Sequence, residues 1–200
     1  MGHFTPELFT FLRQLKRNNE RDWFNKNKER YIADVQQPAL DFVADVAPGL
    51  RKISQNFVAD PRPTGGSLFR IYRDVRFAKD KSPYKTHVGI YFKHRAAKDV
   101  HSPGFYLHLE PGEVFIGAGL WMPDAKTATK IRESIVERTT PWKKAVHAPP
   151  FSKTFQLTNE AYVRVPRGFD PAHPFVEDLK LKSFIGIRPI NEQTATAEKK

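Results

Sequence analysis

Cysteine is absent from the 200 residues. That excludes a disulfide framework, a thiolate nucleophile and any zinc site built on sulfur. No apolar run approaches the roughly 18 residues of a membrane-spanning helix, and no signal-peptide pattern opens the chain. The expectation is a soluble, cytoplasmic protein with no membrane partner. Compact catalytic signatures are missing too. Gly117-Ala118-Gly119 lacks the third glycine of a dinucleotide fingerprint and sits inside a strand pattern. There is no GxxxxGK[ST] phosphate loop, no GxSxG elbow and no HExxH helix. On these grounds no cofactor and no metal site are expected, and the sequence names no reaction.

Core material is ample: 40% of the residues are hydrophobic and 16 are phenylalanine. A chain of this length buries roughly 70% of its extended surface without staples. Positive charge is in excess, 33 Lys and Arg against 22 Asp and Glu, for a net +11. Its distribution is uneven. Residues 70–98 carry nine bases (Arg70, Arg73, Arg76, Lys79, Lys81, Lys85, Lys93, Arg95 and Lys98) against Asp74 and Asp80, so 29 residues hold +7 and the other 171 share +4. Such a concentration is either spread over solvated faces or holds an anion.

Periodicity divides the chain in two. Thr5-Pro6-Glu7 is a helix start, with Thr5 as N-cap, and Leu8, Phe9, Leu12 and Leu15 form one stripe. Asn18-Asn19 ends that helix and offers the next cap. Trp23, Phe24, Tyr31 and Val35 then recur at helical spacing, with Arg21, Lys26, Lys28 and Arg30 on the other face. Pro38 kinks this helix or opens the next, whose stripe is Val43, Val46, Leu50 and Ile53. After the Pro- and Gly-dense break at residues 60–66 the period becomes two. Strands are predicted over 67–72, 86–92, 104–109 and 113–121, the last pair joined by a Pro111-Gly112 hairpin turn. Helix resumes after Pro123, with Ala128, Ile131, Ile135 and Val136 inward, and extended pieces at 154–157 and 185–190 bracket a short helix near 176–182. Helices flanking a run of strands, without βαβ alternation, predict an α+β fold. It is read as one domain over 1–190, an antiparallel sheet of about four to six strands between N-terminal and C-terminal helices, followed by a polar, disordered tail over 191–200.

The segment from Arg70 to His87, RIYRDVRFAKDKSPYKTH, is distinctive, as are Trp23-Phe24, the run from Asn27 to Tyr31, the run from Gly104 to Glu110 and the run from Gly117 to Pro123. Together, in order and spacing, they resemble the uncharacterised conserved family DUF2461 over roughly residues 4–190. The resemblance brings no activity, cofactor or catalytic residue with it.

Two regions carry the candidate chemistry. In the basic loop, Arg70, Arg73 and Arg76 recur every third residue, Asp74 and Asp80 are spaced to pair with them, and Lys81 and Lys85 add charge. Guanidinium forks grip carboxylate and phosphate oxygens bidentately. The same Arg–Asp pairs also serve simply to tie a loop to its sheet. Beside the loop, strand alternation puts Val88, Ile90, Phe92, Phe105, Leu107, Leu109, Val114, Ile116, Ala118 and Leu120 on a core face. The opposite face carries His87, Gly89, Tyr91, Tyr106, His108, Glu110, Phe115, Gly117, Gly119 and Trp121. Its glycines leave room for a packed helix or a ligand, the helix being the commoner occupant. Histidines recur every seven residues at 87, 94, 101 and 108, but seven alternates faces on a strand. His108 and Glu110, two apart, are the one pair with local ligand geometry, and no third ligand is evident.

The favoured reading is a domain binding a small phosphorylated or carboxylated ligand through Arg70, Arg73, Arg76, Lys81, Lys85 and His87, with or without a reaction. Tyr84, Tyr106 and His108 are the shaping or acid–base candidates. Two further readings fit the same residues. Tyr72, Phe77, Tyr84 and Tyr91 interleaved with bases suit a nucleic-acid-associated module; a partner-binding scaffold would use the loop structurally.

Overall fold

The computed structural model describes residues 2–97 and 99–197; Lys98 of the basic stretch and the last three residues of the tail lie outside them. It is an α+β fold with one five-stranded antiparallel sheet in the order β1-β2-β3-β5-β4. The strands are β1 (Val88–Lys93), β2 (Gly104–Glu110), β3 (Glu113–Leu120), β4 (Gln156–Leu157) and β5 (Phe184–Ile190). The chain divides into two compact units: Met1–Arg95 with Phe105–Ile116 and Pro189–Lys200, and Ala96–Gly104 with Gly117–Arg188. No helix among the described residues is long and apolar enough to cross a membrane.

The first unit begins with α1 (Pro6–Arg17), capped at Thr5, and its stripe of Leu8, Phe9, Phe11, Leu12 and Leu15 is fully buried. Asn18 closes it by donating its N–H to the Gln14 and Leu15 carbonyls. The second helix, α2 (Arg21–Lys26), starts from Glu20 rather than from either asparagine, because the Asn19 side chain is engaged elsewhere. A short α3 (Lys28–Tyr31) widens into a π-helical turn over Ile32–Gln36 and runs on as α4 (Gln37–Ile53). Pro38 thus opens a helix, at a position where its missing N–H costs little. Val35, Ala39, Val43 and Leu50 are the buried stripe, while Ile53 lies exposed at the frayed end. These side chains join Val88, Ile90, Phe92, Leu107, Leu109 and Val114 in one core. The helices therefore cover the conventional sheet face. The aromatic, polar face receives Phe69 instead: a side chain at Gly89 would collide with Tyr106 Oη at 2.7 Å and Phe69 Cδ2 at 3.0 Å.

The segment predicted as a strand over 67–72 pairs only through isolated bridges, Leu68 with Ile90 and Tyr72 with Tyr84. The Pro111-Gly112 turn forms as predicted, with Gly112 at φ +86°. Part of the polar tail is helical. Glu192–Thr196 is a helical turn capped by Asn191, and Glu192 pairs with Arg13 and accepts the Gly112 N–H. Its own polar side chains supply the cap and the ion pair that composition does not reveal.

In the second unit α5 (Ala125–Glu137) starts from Asp124, whose carboxylate accepts the Thr127 N–H at 2.8 Å. Ala128 and Ile135 are buried with Leu179, Leu181 and Phe184. Val136 is exposed, and the inward position falls to Arg132 instead. Its guanidinium donates to the Leu179 and Leu181 carbonyls at 2.7 and 2.8 Å and lies against the rings of Tyr162 and Phe184. The helical period, followed strictly as i, i+4 from Ala128, selects it. Gly119 has φ +141°, and a side chain there would run into the Phe184 carbonyl.

Two glycine substitutions separate strain from flexibility. Gly119→Ala should destabilise by roughly 3 kcal/mol or more, through both φ and collision. Gly49→Ala, in α4 with open space around it, should stabilise by about 0.5–1 kcal/mol. Urea unfolding of the two variants measures both.

Candidate functional site

The sequence places its charge on the loop, and the structure shows how that loop is anchored. Three backbone hydrogen bonds fix its base: Phe69 N–H to Gly89 O at 2.9 Å, Arg73 N–H to Pro83 O at 2.9 Å and Lys85 N–H to Ile71 O at 2.8 Å. From α2's side, the Asn19 carboxamide donates to Tyr84 O and accepts the Tyr84 N–H, both at 3.0 Å. The Tyr84 ring is buried and stacks on Phe24 of α2 at 4.1 Å. Phe24 in turn packs on Tyr31, whose phenol is pushed up to about 12, mainly by burial and then by Tyr72. These contacts hold α2 against the loop.

Between them lies a cavity of about 320 Å³. Arg21 and Asn25 line it from α2, one helical turn apart. Tyr72, Arg73 and Val75 line it from one limb of the loop, Pro83 and Tyr84 from the other. Of the residues singled out as site candidates from sequence, Arg73 and Tyr84 are in this wall, with Tyr72 of the stacking set. Arg21, read only as part of a basic helix face, and Asn25 are not among those candidates. The signal for both was their i, i+4 spacing opposite Trp23-Phe24, which reads equally as a solvated helix face. Arg21 makes no ion pair among the described residues.

Four of the loop cations, Arg73, Arg76, Lys81 and Lys85, have internal partners. Arg73 pairs with Asp80. Arg76 forks onto Asp74, at 2.9 Å through Nε and 2.7 Å through Nη2, with both side chains largely exposed. Lys81 donates to the Val75 carbonyl at 3.0 Å, and Lys85 to the Arg70 carbonyl at 3.0 Å. Lys85 also lies 5.4 Å from the centre of the Phe69 ring, and burial, then Arg70, lowers its pKa. Arg70 is exposed, and its side chain makes no hydrogen bond among the described residues. The carboxylates are firmly charged. Hydrogen bonds from Ser82 and then Arg73 hold Asp80 far below the usual range, and those from Arg76 lower Asp74 to about 2.

A second constellation forms on the aromatic sheet face. His108 is buried and stacks on Phe115 across the hairpin, with ring centres 4.8 Å apart and planes 9° apart. Its Nδ1 is 3.1 Å from Tyr106 Oη and its Nε2 3.4 Å from Glu110 Oε2. Thr86 donates to the other Glu110 oxygen at 2.9 Å. The His87 ring lies 4.6 Å from that of His108. Burial, then His108, lowers His87 to about 4, and burial, then Glu110, raises Tyr106 to about 12. At neutral pH His87 is therefore an uncharged base and Tyr106 an intact phenol. His87, His108 and Glu110 can each aim one donor atom at a common point, all within 4.8 Å of one another. They are the residues here able to hold a metal ion. The histidines at 94 and 101 go elsewhere: His94 packs edge-on to Phe57, and His101 stacks on Trp121.

In the second unit, the buried Asp178 carboxylate takes hydrogen bonds from Trp142 Nε1 at 2.6 Å and His147 Nε2 at 2.5 Å. Distance in sequence, 31 residues and more, hides this trio.

Residues 7–199 match the family model described as conserved hypothetical protein, DUF2461. No curated protein and no solved structure matches the chain.

The Asp74–Arg76 fork sets a titration. A carboxylate held low in the folded state contributes stability above its unfolded pKa of about 3.9, which is lost as pH falls through the folded value near 2. Side-chain carbonyl NMR should therefore place the Asp74 midpoint near 2, moving up towards about 4 in Arg76→Ala.

Proposed function

The chain belongs to the DUF2461 family, and on that premise we propose that it binds a small phosphorylated or carboxylated ligand in the cleft between α2 and the basic loop. One observation carries the reading. Arg21, without a carboxylate of its own, shares a cavity of about 320 Å³ with Arg73, Asn25 and Tyr72. That volume lies at the lower end of the roughly 300–1,000 Å³ of small-molecule pockets. Two guanidiniums supply charge and paired donors for oxyanions. The Asn25 amide and the Tyr72 hydroxyl supply orienting hydrogen bonds, and Tyr84 with Val75 and Pro83 gives an apolar wall.

The internal pairing of Arg76, Lys81 and Lys85 supports a small ligand over a polyanion. A phosphate backbone is gripped by a track of unpaired bases, whereas Arg76, Lys81 and Lys85 are engaged by Asp74 and by backbone carbonyls. In this reading those three stiffen the loop, and Arg73 is shared between Asp80 and the ligand. The protein is taken to act in the cytoplasm, where phosphorylated and carboxylated metabolites are abundant.

Thermal-shift measurements with inorganic phosphate, citrate and adenosine monophosphate test this. At a hundredfold excess over Kd a ligand stabilises by about 2.7 kcal/mol, which for a chain of this size raises Tm by roughly 5 °C or more. At least one of the three should do so. Arg21→Ala should abolish the shift and Arg76→Ala should retain it. No shift with any of them, or an undiminished shift in Arg21→Ala, overturns the reading. Tight, steeply salt-dependent binding of single-stranded oligonucleotides that survives Arg21→Ala would transfer the loop to nucleic acid.

A further inference from the structure

We infer that His87, His108 and Glu110 form a binding site for a divalent first-row transition-metal ion, separate from the anion cleft. Two imidazoles and a carboxylate are a donor set that zinc and its neighbours accept, with positions left for water or an exogenous ligand. The three donor atoms lie within 4.8 Å of one another. Ligand bonds near 2.1 Å place the donors of a tetrahedral ion roughly 3.4 Å apart, and His108 Nε2 and Glu110 Oε2 stand 3.4 Å apart. The donor atom of His87 lies within 4.8 Å of each of the other two.

What surrounds the donors strengthens the assignment. Ligating side chains are usually held by partners on their other atoms, which fix tautomer and direction. Here the far nitrogen of His108, Nδ1, meets Tyr106 Oη at 3.1 Å. With the Nδ1 proton donated to that phenol oxygen, Nε2 is left as a ligand atom 3.4 Å from Glu110 Oε2. The far oxygen of Glu110 accepts from Thr86 at 2.9 Å, and the exposed Lys16 ammonium is 3.8 Å from that same oxygen. Oε2 is left facing the imidazoles. Among the described residues the His87 side chain makes no hydrogen bond, although it is half-buried against the His108 ring. Phe115 backs His108 from the neighbouring strand. Two ligands alternate along β2, and the third immediately precedes β1. The set therefore rests on sheet backbone rather than on a mobile loop, which favours a fixed geometry.

The test uses the full untagged chain, stripped with EDTA and dialysed. Titration with Co²⁺ should develop ligand-field absorption that saturates at one equivalent, and Zn²⁺ should displace it. Glu110→Gln and His87→Gln should each weaken Co²⁺ binding at least tenfold, whereas His101→Gln should leave it unchanged. Near-ultraviolet circular dichroism checks that the variants fold. If either does not, imidazole ¹⁵N NMR of the unmodified protein decides: added Zn²⁺ should shift His87 and His108 and leave His101 and His147 in place. Absence of a saturable one-equivalent signal overturns the site. So does a signal indifferent to folded Glu110→Gln, or zinc shifts confined to other histidines.

Discussion

The carboxamide of Asn19 bonds both backbone groups of Tyr84 at 3.0 Å, and the candidate cleft depends on that pair of hydrogen bonds. An amide side chain presents one donor and one acceptor side by side, as a neighbouring strand would. It satisfies two polar groups next to a buried ring, where each would be costly if left without a partner. The consequence is positional. α2 begins two residues later, so Arg21 and, one turn on, Asn25 face the loop whose far limb Tyr84 anchors. Stacking of Phe24 on Tyr84 makes the same junction apolar. Polar registration and hydrophobic contact thus act on adjacent residues of both partners.

The charge of the basic stretch acquires a different meaning once its partners are known. A crowded run of cations would repel itself. Asp74 and Asp80 answer Arg76 and Arg73 directly, and two lysines turn back onto carbonyls of the loop. Exposed pairs of this kind contribute little to global stability. Their effect is local: they reduce the number of conformations open to a long connection. The cation left without a carboxylate in the cleft wall, Arg21, comes from a helix outside the basic stretch. Net charge located the region, and the cleft wall adds to it a cation, Arg21, from outside that stretch.

Much of this architecture was legible in the chain. The stripes of α1 and α4, the β2–β3 hairpin and the two sheet faces follow from apolar period and turn chemistry, because burial enforces both. Residues 67–72 were legible as extended but not as a mere bridge, since alternation reports faces and not the number of hydrogen bonds made. Arg132 lies on the i, i+4 step from Ala128, but a buried guanidinium satisfied by carbonyls looks, in sequence, like any surface arginine on a helix. Asn19 was read as a cap, the commoner use of that residue type. His87 was placed on the correct face with His108 and Glu110. Its proximity to them needed the register of β1 against β2, which the ten-residue connection between these strands does not reveal. Residues brought together by register or by a side chain acting as a strand escape periodic patterns; residues brought together by burial do not.

The central claim is that Arg21 and Arg73 jointly hold an anion. Crystals grown with tungstate, a phosphate-sized oxyanion visible by its anomalous scattering, test it most directly. The account predicts an anomalous peak between the two guanidiniums, in the cavity bounded by Asn25 and Tyr72. Tungstate bound at Arg70 or Arg76 with that cavity empty would contradict it.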